Sequence, residues 1–369
     1  MKFCVIGAGS GGRAIAAYLS SKNYSVNLYN RSHSRIKYIK KKGGIKAQGI
    51  LDGFFPLDKI TNNLEEAVKD VDFIMIAIPA SAHKEIAKKM APYLSNNQYI
   101  LLNPGRTFGA IVLKKEIEIL QPNLRLFIAE AQTLLFTSRA LKRNRVKILR
   151  IKDTVKFSGY REVLNSMIHY KIKDIFPNLK PVNDYFQLTL NNIGMLLHPT
   201  ISLLNSGAIE SGLQFKFYKE GASNRNCMIL EQLQFEINKI LMKLGLRRFS
   251  FCRWAYEVYN VSEKTIYDTL QKIEVYQEIN SPTELKTRYF TEDVPTGLVP
   301  LASLGKFLNI DTPTIDSIIH LSSILCNCDF WKHGRTIESL ELESIIEHRF
   351  NLEPSIEEPI KERKEYLFT

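Results

Sequence analysis

The sequence predicts an α/β N-terminal half built as a doubly wound parallel sheet, followed by an all-α C-terminal domain. Three observations lead there. An apolar run, Met1–Ile6, feeds glycines at positions 7, 9 and 12. Strand-like and helix-like stretches then alternate, the pattern of a parallel sheet with helices on both faces. Past the proline-interrupted stretch Pro177–Asn183, long helical periodicities dominate and strand signals nearly vanish.

The opening strand and its glycines have the spacing of a Rossmann-type dinucleotide site. Gly7 permits the tight turn, Gly9 lets backbone approach a pyrophosphate, and Gly12 lets the helix pack closely on its strand. Free N–H groups at the helix start attract phosphate charge, so Ala8, Ser10 and Gly11 join the expected cofactor-binding set. The second strand, Tyr24–Tyr29, ends in Asn30, Arg31 and Ser32. An NAD site normally has an acidic residue here for the ribose hydroxyls. Asn30 removes that charge, while Arg31, Ser32 and Arg35 supply guanidinium and hydroxyl groups suited to a 2′-phosphate. The expected cofactor is NADP(H), with NAD(H) as the alternative.

A short pair of strands follows, Gly44–Ile50 and Gly53–Leu57, read as a small excursion around a turn. Val71–Pro79 is an almost continuous apolar strand, as a sheet buried on both faces demands. Ser81–Leu94 has its apolar residues at helical spacing, and Tyr99–Asn103 and Leu126–Ala129 are further strands. Val146–Ile151 and Thr154–Ser158 also read as strands, with a hairpin through Lys152 and Asp153 as one way to join them. Arg161–His169 is the closing helix. Ligands of such sheets lie beyond the carboxyl ends of the strands, so Pro79, Asn103 and the Glu130–Thr133 segment should border the cofactor. Domain limits are expected at 1–180 for the dinucleotide-binding half, 181–352 for the helical half and 353–369 for a charged tail. Helices in the second half are expected over Tyr185–Asn205, Cys227–Leu244, Ser262–Gln271, Val299–Asn309 and Pro313–Leu325.

Composition excludes several functional classes. The 369 residues suffice for two cores, and 45% hydrophobic with 24% charged residues is the balance of a soluble globular protein. No apolar stretch approaches the roughly 20 residues that span a bilayer. The N-terminus is a core strand rather than a signal peptide, so a cytoplasmic protein without a membrane partner is expected. The net charge of +12 comes from scattered lysines, with short clusters only at Lys40–Lys42 and Leu141–Arg145. No interleaved aromatic-basic motif appears, so no nucleic acid is expected, and the positive field favours an anionic cofactor and carboxylate substrates. The five cysteines are dispersed, and Cys326 with Cys328 lacks a second pair at ligand spacing, so no metal is expected. Apolar helical faces in the second half could serve a homodimer or only that half's own core.

Two segments of the second half could transfer protons. His198 sits in the apolar stretch Asn191–Pro199, where a lone histidine is as readily a satisfied core residue as a catalyst. Pro199 disfavours regular helical geometry just before it. Arg288–Gly297 reads as a loop whose charged residues, taken alone, would be a solvated turn.

Over most of residues 1–345 the chain resembles the opine dehydrogenases, the octopine/nopaline dehydrogenase family. The likeness runs through the glycine turn, Leu102–Thr107, Glu130–Leu134, Asn192–Gly194 with His198–Pro199, and Leu204–Gly207. It continues through Phe217–Gly221, Arg288–Tyr289 with Glu292–Pro295, and Gly334–Thr336. Those enzymes reductively couple the amino group of an amino acid to an α-keto acid, so the resemblance implies these small molecules as partners. It implies His198 as the catalytic acid/base, Asp293 as its carboxylate partner and Arg288 as the holder of a substrate carboxylate, with Arg106 and Thr133 in the same pocket. A histidine titrating near neutrality suits this chemistry. The ammonium must lose a proton before its nitrogen attacks the ketone, and the carbinolamine must lose water before hydride reaches the imine carbon. Some family members carry an asparagine one helical turn before the histidine; Gly194 stands there in this chain, leaving Asn192 or Asn191 as a substitute amide for substrate binding, though neither shares the histidine's face in an unbroken helix.

Two other readings stand beside this one. A β-hydroxyacid or ketopantoate-type reductase would share the architecture, but typically has a lysine on the first long helix of its second domain. Tyr185–Asn205 contains none. A non-catalytic NADP-binding sensor would leave His198, Asp293 and Arg288 structural.

Overall fold

The computed structural model describes residues 1–351, so the expected tail at 353–369 lies outside the described residues. Among the described residues twelve strands form two sheets: β1 (Lys2–Ile6), β2 (Ser25–Tyr29), β3 (Gly44–Gly49), β4 (Gly53–Pro56), β5 (Lys59–Thr61), β6 (Phe73–Ile76), β7 (Tyr99–Leu102), β8 (Phe127–Ala131), β9 (Phe136–Ala140), β10 (Arg145–Ile151), β11 (Val155–Gly159) and β12 (Leu179–Pro181). The large sheet has the order β12-β11-β8-β7-β6-β1-β2-β5, and the small one β4-β3-β10-β9. Helices α1 (Ser10–Ser21), α2 (His33–Lys42), α3 (Leu64–Val68), α4 (His83–Met90), α5 (Gly109–Leu120) and α6 (Val163–Ile172) connect them.

Every residue of β6 is buried, which explains its unbroken apolar sequence. Alternation along the strands sends Phe3, Val5, Phe73 and Met75 into one core and Cys4, Ile6, Ile74 and Ile76 into the other. That second core runs on into the helical half without interruption, where Phe108 meets Phe186 edge-on at 6.0 Å between ring centroids. The two halves therefore share an interior.

The large sheet departs from the expected parallel arrangement at one edge, where β11 runs antiparallel to β8 and β12 follows β11. The β10–β11 hairpin is not formed. β10 pairs with β3 and β9 in the small sheet, β11 enters the large one, and the chain crosses between them at Lys152 and Asp153. The hairpin is instead β9–β10, and its turn is the basic stretch after Ala140. Buried Arg13 pins that turn by donating from Nη1 to the carbonyls of Leu141, Arg143 and Arg145 at 3.0–3.1 Å. β9 escapes sequence reading because three of its five residues, Thr137, Ser138 and Arg139, are polar or charged.

The second half contains α7 (Tyr185–Thr189), α8 (Ile193–Leu204), α9 (Ser206–Glu210), α10 (Asn224–Lys243), α11 (Phe251–Tyr259), α12 (Ile266–Lys272), α13 (Arg288–Thr291), α14 (Val299–Phe307) and α15 (Pro313–Cys326), then three short helices ending at Phe350. Among its described residues the one further β contact after β12 is an isolated bridge between Lys216 and Asn280. The helix expected over Tyr185–Asn205 is two helices. Asn192 breaks it by capping α8, its side-chain oxygen accepting the Gly194 N–H at 3.1 Å. Arg288–Gly297 is helical rather than a loop: α13 is followed by one π turn, Val294–Leu298. Pro295 has no N–H to continue the α ladder, and the Leu298 N–H reaches back to the Asp293 carbonyl at 3.2 Å. No helix among the described residues is long and apolar enough to cross a membrane.

Candidate active site

Strand order locates the crevice. β2 and β6 flank β1 on opposite sides, so the winding reverses at β1, where the glycine turn sits. Gly7 has φ 112°, a conformation side chains rarely adopt, and a Cβ on Gly12 would overlap the Gly7 carbonyl. A Cβ on Gly9 would meet nothing within 4 Å. The turn is thus closed where the helix packs and open where a pyrophosphate would approach. Asn30 ties this turn to the end of β2, its side chain accepting the Ala8 N–H at 3.0 Å and donating to the Ser32 carbonyl at 3.1 Å. Ser10 accepts the Ala140 N–H at 2.9 Å.

Two cavities meet at this turn. The smaller, about 310 Å³, is walled by Gly7, Gly9, Asn30, Arg31, Ser32, Arg35 and Pro79, with Glu85 and Lys89 at its edge. Glu85 pairs with Arg31 at 3.0 Å and with Lys89 at 2.6 Å, so this carboxylate is matched by two cations. The larger cavity, about 570 Å³, runs from Gly9, Ser10 and Gly11 past Pro79 and Asn103 to α8 and α13. His198, Arg106, Arg288 and Thr133 all line it.

His198 is carried by α8, which continues through Pro199. Its Nδ1 lies 2.7 Å from Asp293 Oδ2 and its Nε2 lies 2.8 Å from the Tyr218 hydroxyl, while Tyr289 stacks on the ring at 4.4 Å. Burial pushes the imidazole below the ordinary histidine range and outweighs the opposing pull of Asp293. Asp293 is fully buried at the start of the π turn. Burial alone would raise its carboxyl, but the Arg106 guanidinium 3.2 Å away and the imidazole hold it below the usual carboxylate range. Burial likewise keeps Tyr218 protonated, well above the ordinary phenol range.

Arg106 is the hub of this arrangement. It stands on the loop after β7 with φ 60°, uncommon outside glycine, and the neighbouring Thr107 N–H is fixed by the Thr296 carbonyl at 3.1 Å. Besides Asp293, its guanidinium meets Glu292 Oε1 at 3.2 Å and Asn192 Oδ1 at 3.3 Å. Burial opposes its charge, yet Asp293 and Glu292 raise its pKa above the ordinary arginine value. A side chain at position 194 would collide with this guanidinium and with Asp293. The space an asparagine would occupy there is filled by Arg106. Asn192, expected to touch substrate, stands behind the guanidinium and off the cavity wall.

Arg288 lies at the cavity edge with its side chain 53% exposed, 3.9 Å from Glu292. Thr133 accepts a 2.6 Å hydrogen bond from Lys152, a buried cavity-lining lysine that the expected hairpin turn concealed. Trp254, Tyr259 and Tyr276 complete the apolar wall. Tyr218 and Glu292 were visible inside the motifs quoted above. Lys152 and the aromatic wall carried no periodic or motif signal.

Arg335 sews the two halves together beneath the site. It donates to the carbonyls of Gly105, Thr107 and Ala80 and to His83 Nδ1, while Glu292 Oε1 accepts the Ala80 N–H at 3.1 Å. Nearby Glu130 is fully buried, accepts the Ala110 N–H at 2.6 Å and the Tyr185 hydroxyl at 3.1 Å, and is pushed up to about 7 by burial.

A profile of the family described as NAD/NADP octopine/nopaline dehydrogenase, alpha-helical domain, matches residues 181–326. One described as NAD-dependent glycerol-3-phosphate dehydrogenase N-terminus matches residues 2–105. An opine dehydrogenase of Arthrobacter sp. (strain 1C) is 38% identical over 346 residues, covering 93% of this chain and 96% of that one. Octopine dehydrogenase in complex with NADH and agmatine superposes with a TM-score of 0.77 at 16% identity, over 95% of this chain and 98% of that one. NADP⁺-bound yersinopine dehydrogenase gives 0.72 at 14% identity, over 96% and 99%.

Proposed function

The chain belongs to the opine dehydrogenase family of NAD(P)-dependent oxidoreductases acting on CH–NH bonds, and we propose that it condenses an amino acid with an α-keto acid at the expense of NADPH. The observation that carries this reading is His198, buried between Asp293 and Tyr218 on the wall of a cavity that opens onto the glycine turn.

Gly7, Gly9, Ser10 and Gly11 would hold the pyrophosphate, with Ala8, Gly12 and Asn30 fixing the shape of their turn, and Pro79 and Asn103 would border the nicotinamide side. Arg31, Ser32 and Arg35 would receive the 2′-phosphate; the carboxylate on that wall, Glu85, is already matched by Arg31 and Lys89. The bound nicotinamide supplies the hydride. Asp293 accepts the Nδ1–H of His198 and so leaves Nε2 as the basic nitrogen, to which the Tyr218 hydroxyl donates before substrate arrives. The neutral imidazole takes a proton from the substrate ammonium, freeing the nitrogen to attack the ketone carbon. Asp293 stabilises the imidazolium that forms, and the same proton returns to the carbinolamine hydroxyl, which leaves as water. Arg288 anchors a substrate carboxylate.

NADPH consumption with panels of amino acids and α-keto acids tests this reading. Consumption is expected only when both substrates are present, with a secondary-amine product detected by mass spectrometry. The Michaelis constant for NADPH should lie roughly tenfold or more below that for NADH, the worth of one charge-assisted phosphate contact. Consumption with a keto acid alone would transfer the protein to the hydroxyacid reductases, and NADPH binding without turnover would make it a sensor.

We place the protein in the cytoplasm, where its five cysteines, all unpaired, stay thiols. The groove formed by α8, α10 and α15 exposes Leu204, Met228 and Leu321 and is proposed as a contact surface for a second copy. Sedimentation should give a dimer for the parent protein and a monomer for Leu321→Glu; a monomeric parent removes this surface from consideration.

A further inference from the structure

The large cavity holds a buried cation that the proposed chemistry has not used. Lys152 is nearly inaccessible, and its Nζ has one hydrogen bond, 2.6 Å to Thr133 Oγ1. Among the described residues no carboxylate pairs with it, whereas Arg106, the other buried cation of this wall, has two. Burial and the charge of Arg106 push its pKa down to about 7. A desolvated ammonium without a counter-ion is costly, so the fold must hold it there against its own preference.

The connection between the two sheets does the holding. Lys152 sits where the chain crosses from the small sheet to the large one. Its N–H donates to the Leu135 carbonyl at 3.1 Å, and its carbonyl accepts from Asn178 Nδ2 at 3.0 Å. Thr133 accepts from Lys152, which leaves its own hydroxyl hydrogen free to donate. Trp254 borders the same cavity, with its ring centroid 5.9 Å from Nζ and its buried indole N–H without a partner. Fixed, desolvated donors that keep spare hydrogens and have no anionic partner among the described residues fit an anion subsite.

We propose that Lys152 and Thr133 form a second carboxylate subsite, which holds the carboxylate of one substrate while Arg288 holds that of the other. This rests on the opine reading, in which amino acid and α-keto acid each bring a carboxylate, and both remain in the product. Arg106 cannot fill this role, because its guanidinium is committed to Asp293, Glu292 and Asn192.

Lys152→Met, nearly isosteric and uncharged, is the test. The Michaelis constant of one substrate should rise about 10- to 100-fold, the worth of one charge-assisted hydrogen bond. Turnover at saturation and the Michaelis constant for NADPH should hold. Offering that substrate as its carboxamide should erase the difference between parent and variant, and whether the amino-acid amide or the keto-acid amide does so identifies the carboxylate held. The variant should melt at or above the parent temperature, because it no longer buries an ammonium; a merely structural lysine would lower it. Unchanged constants for both substrates, in a parent that couples them, overturn the subsite and leave the opine reading intact. Calorimetry with oxalate in the presence of NADP⁺ gives an answer independent of turnover: the parent should bind and the variant should not, and equal binding overturns the subsite even if the parent couples nothing.

Discussion

Replacing His198 with alanine should cut turnover by about 10²- to 10⁴-fold, the contribution of a positioned acid/base, and leave NADPH affinity essentially unchanged. Steady-state NADPH oxidation together with a fluorescence titration of NADPH separates the two; undiminished turnover would remove His198 from the chemistry. The pH profile carries an independent signature. Burial depresses the imidazole below the ordinary histidine range near 6.5, and a base works in its neutral form. Turnover at saturating substrate should therefore be intact at neutral pH and fall on the acid side, with that limb displaced below that range. Asp293→Asn should displace the limb further to acid, since it removes the one charged neighbour that favours the imidazolium. It also deprives Nδ1–H of its anionic acceptor, so turnover drops with it.

Arg106→Met should cost about 3–5 kcal/mol of stability in chemical denaturation, because it removes the one guanidinium shared by two buried carboxylates and leaves Glu292 only the exposed Arg288, 3.9 Å away. Glu292 and Asp293 each sit within 3.2 Å of that guanidinium and have almost no solvent exposure. Loss of the cation lets the Asp293 carboxyl rise toward the range its burial dictates, and the tautomer of His198 loses its anchor. Turnover should fall even in the surviving folded fraction. Adding Glu292→Gln should recover part of the stability, since the second change removes a buried charge that the first deprived of its closer cation. Parent-like stability and turnover in the single variant would show that Arg106 is not the hub described above.

The legible parts of this protein were local. Gly7 and Gly12 announce their turn because a positive φ and a close backbone approach a few residues apart require them, while Gly9 leaves the turn open to a ligand. The run around β6 announces a strand buried on both faces for the same reason. His198 and Asp293 could be paired only through family resemblance, since 95 residues separate them. The Arg106–Gly194 exchange was invisible, because an empty position on one helix has meaning only beside a side chain from a distant loop. Lys152 was hidden by its surroundings: a lysine beside an aspartate reads as a turn unless the destinations of β10 and β11 are known. The helix break at Asn192 and the π turn at Pro295 had local causes, a capping amide and a missing donor, but helical periodicity masked the first and a run of charges the second.

Arg335 bears on how this fold can be re-engineered. Its side chain serves three carbonyls and a ring nitrogen, all supplied by the N-terminal half, while its own backbone N–H is held by Pro295 at 2.9 Å. A chimaera whose helical module lacked this arginine would strand those acceptors out of reach of water, and any replacement module would have to match a continuous apolar seam. New selectivity in this scaffold has to be written side chain by side chain on the cavity wall, because the modules are not interchangeable parts.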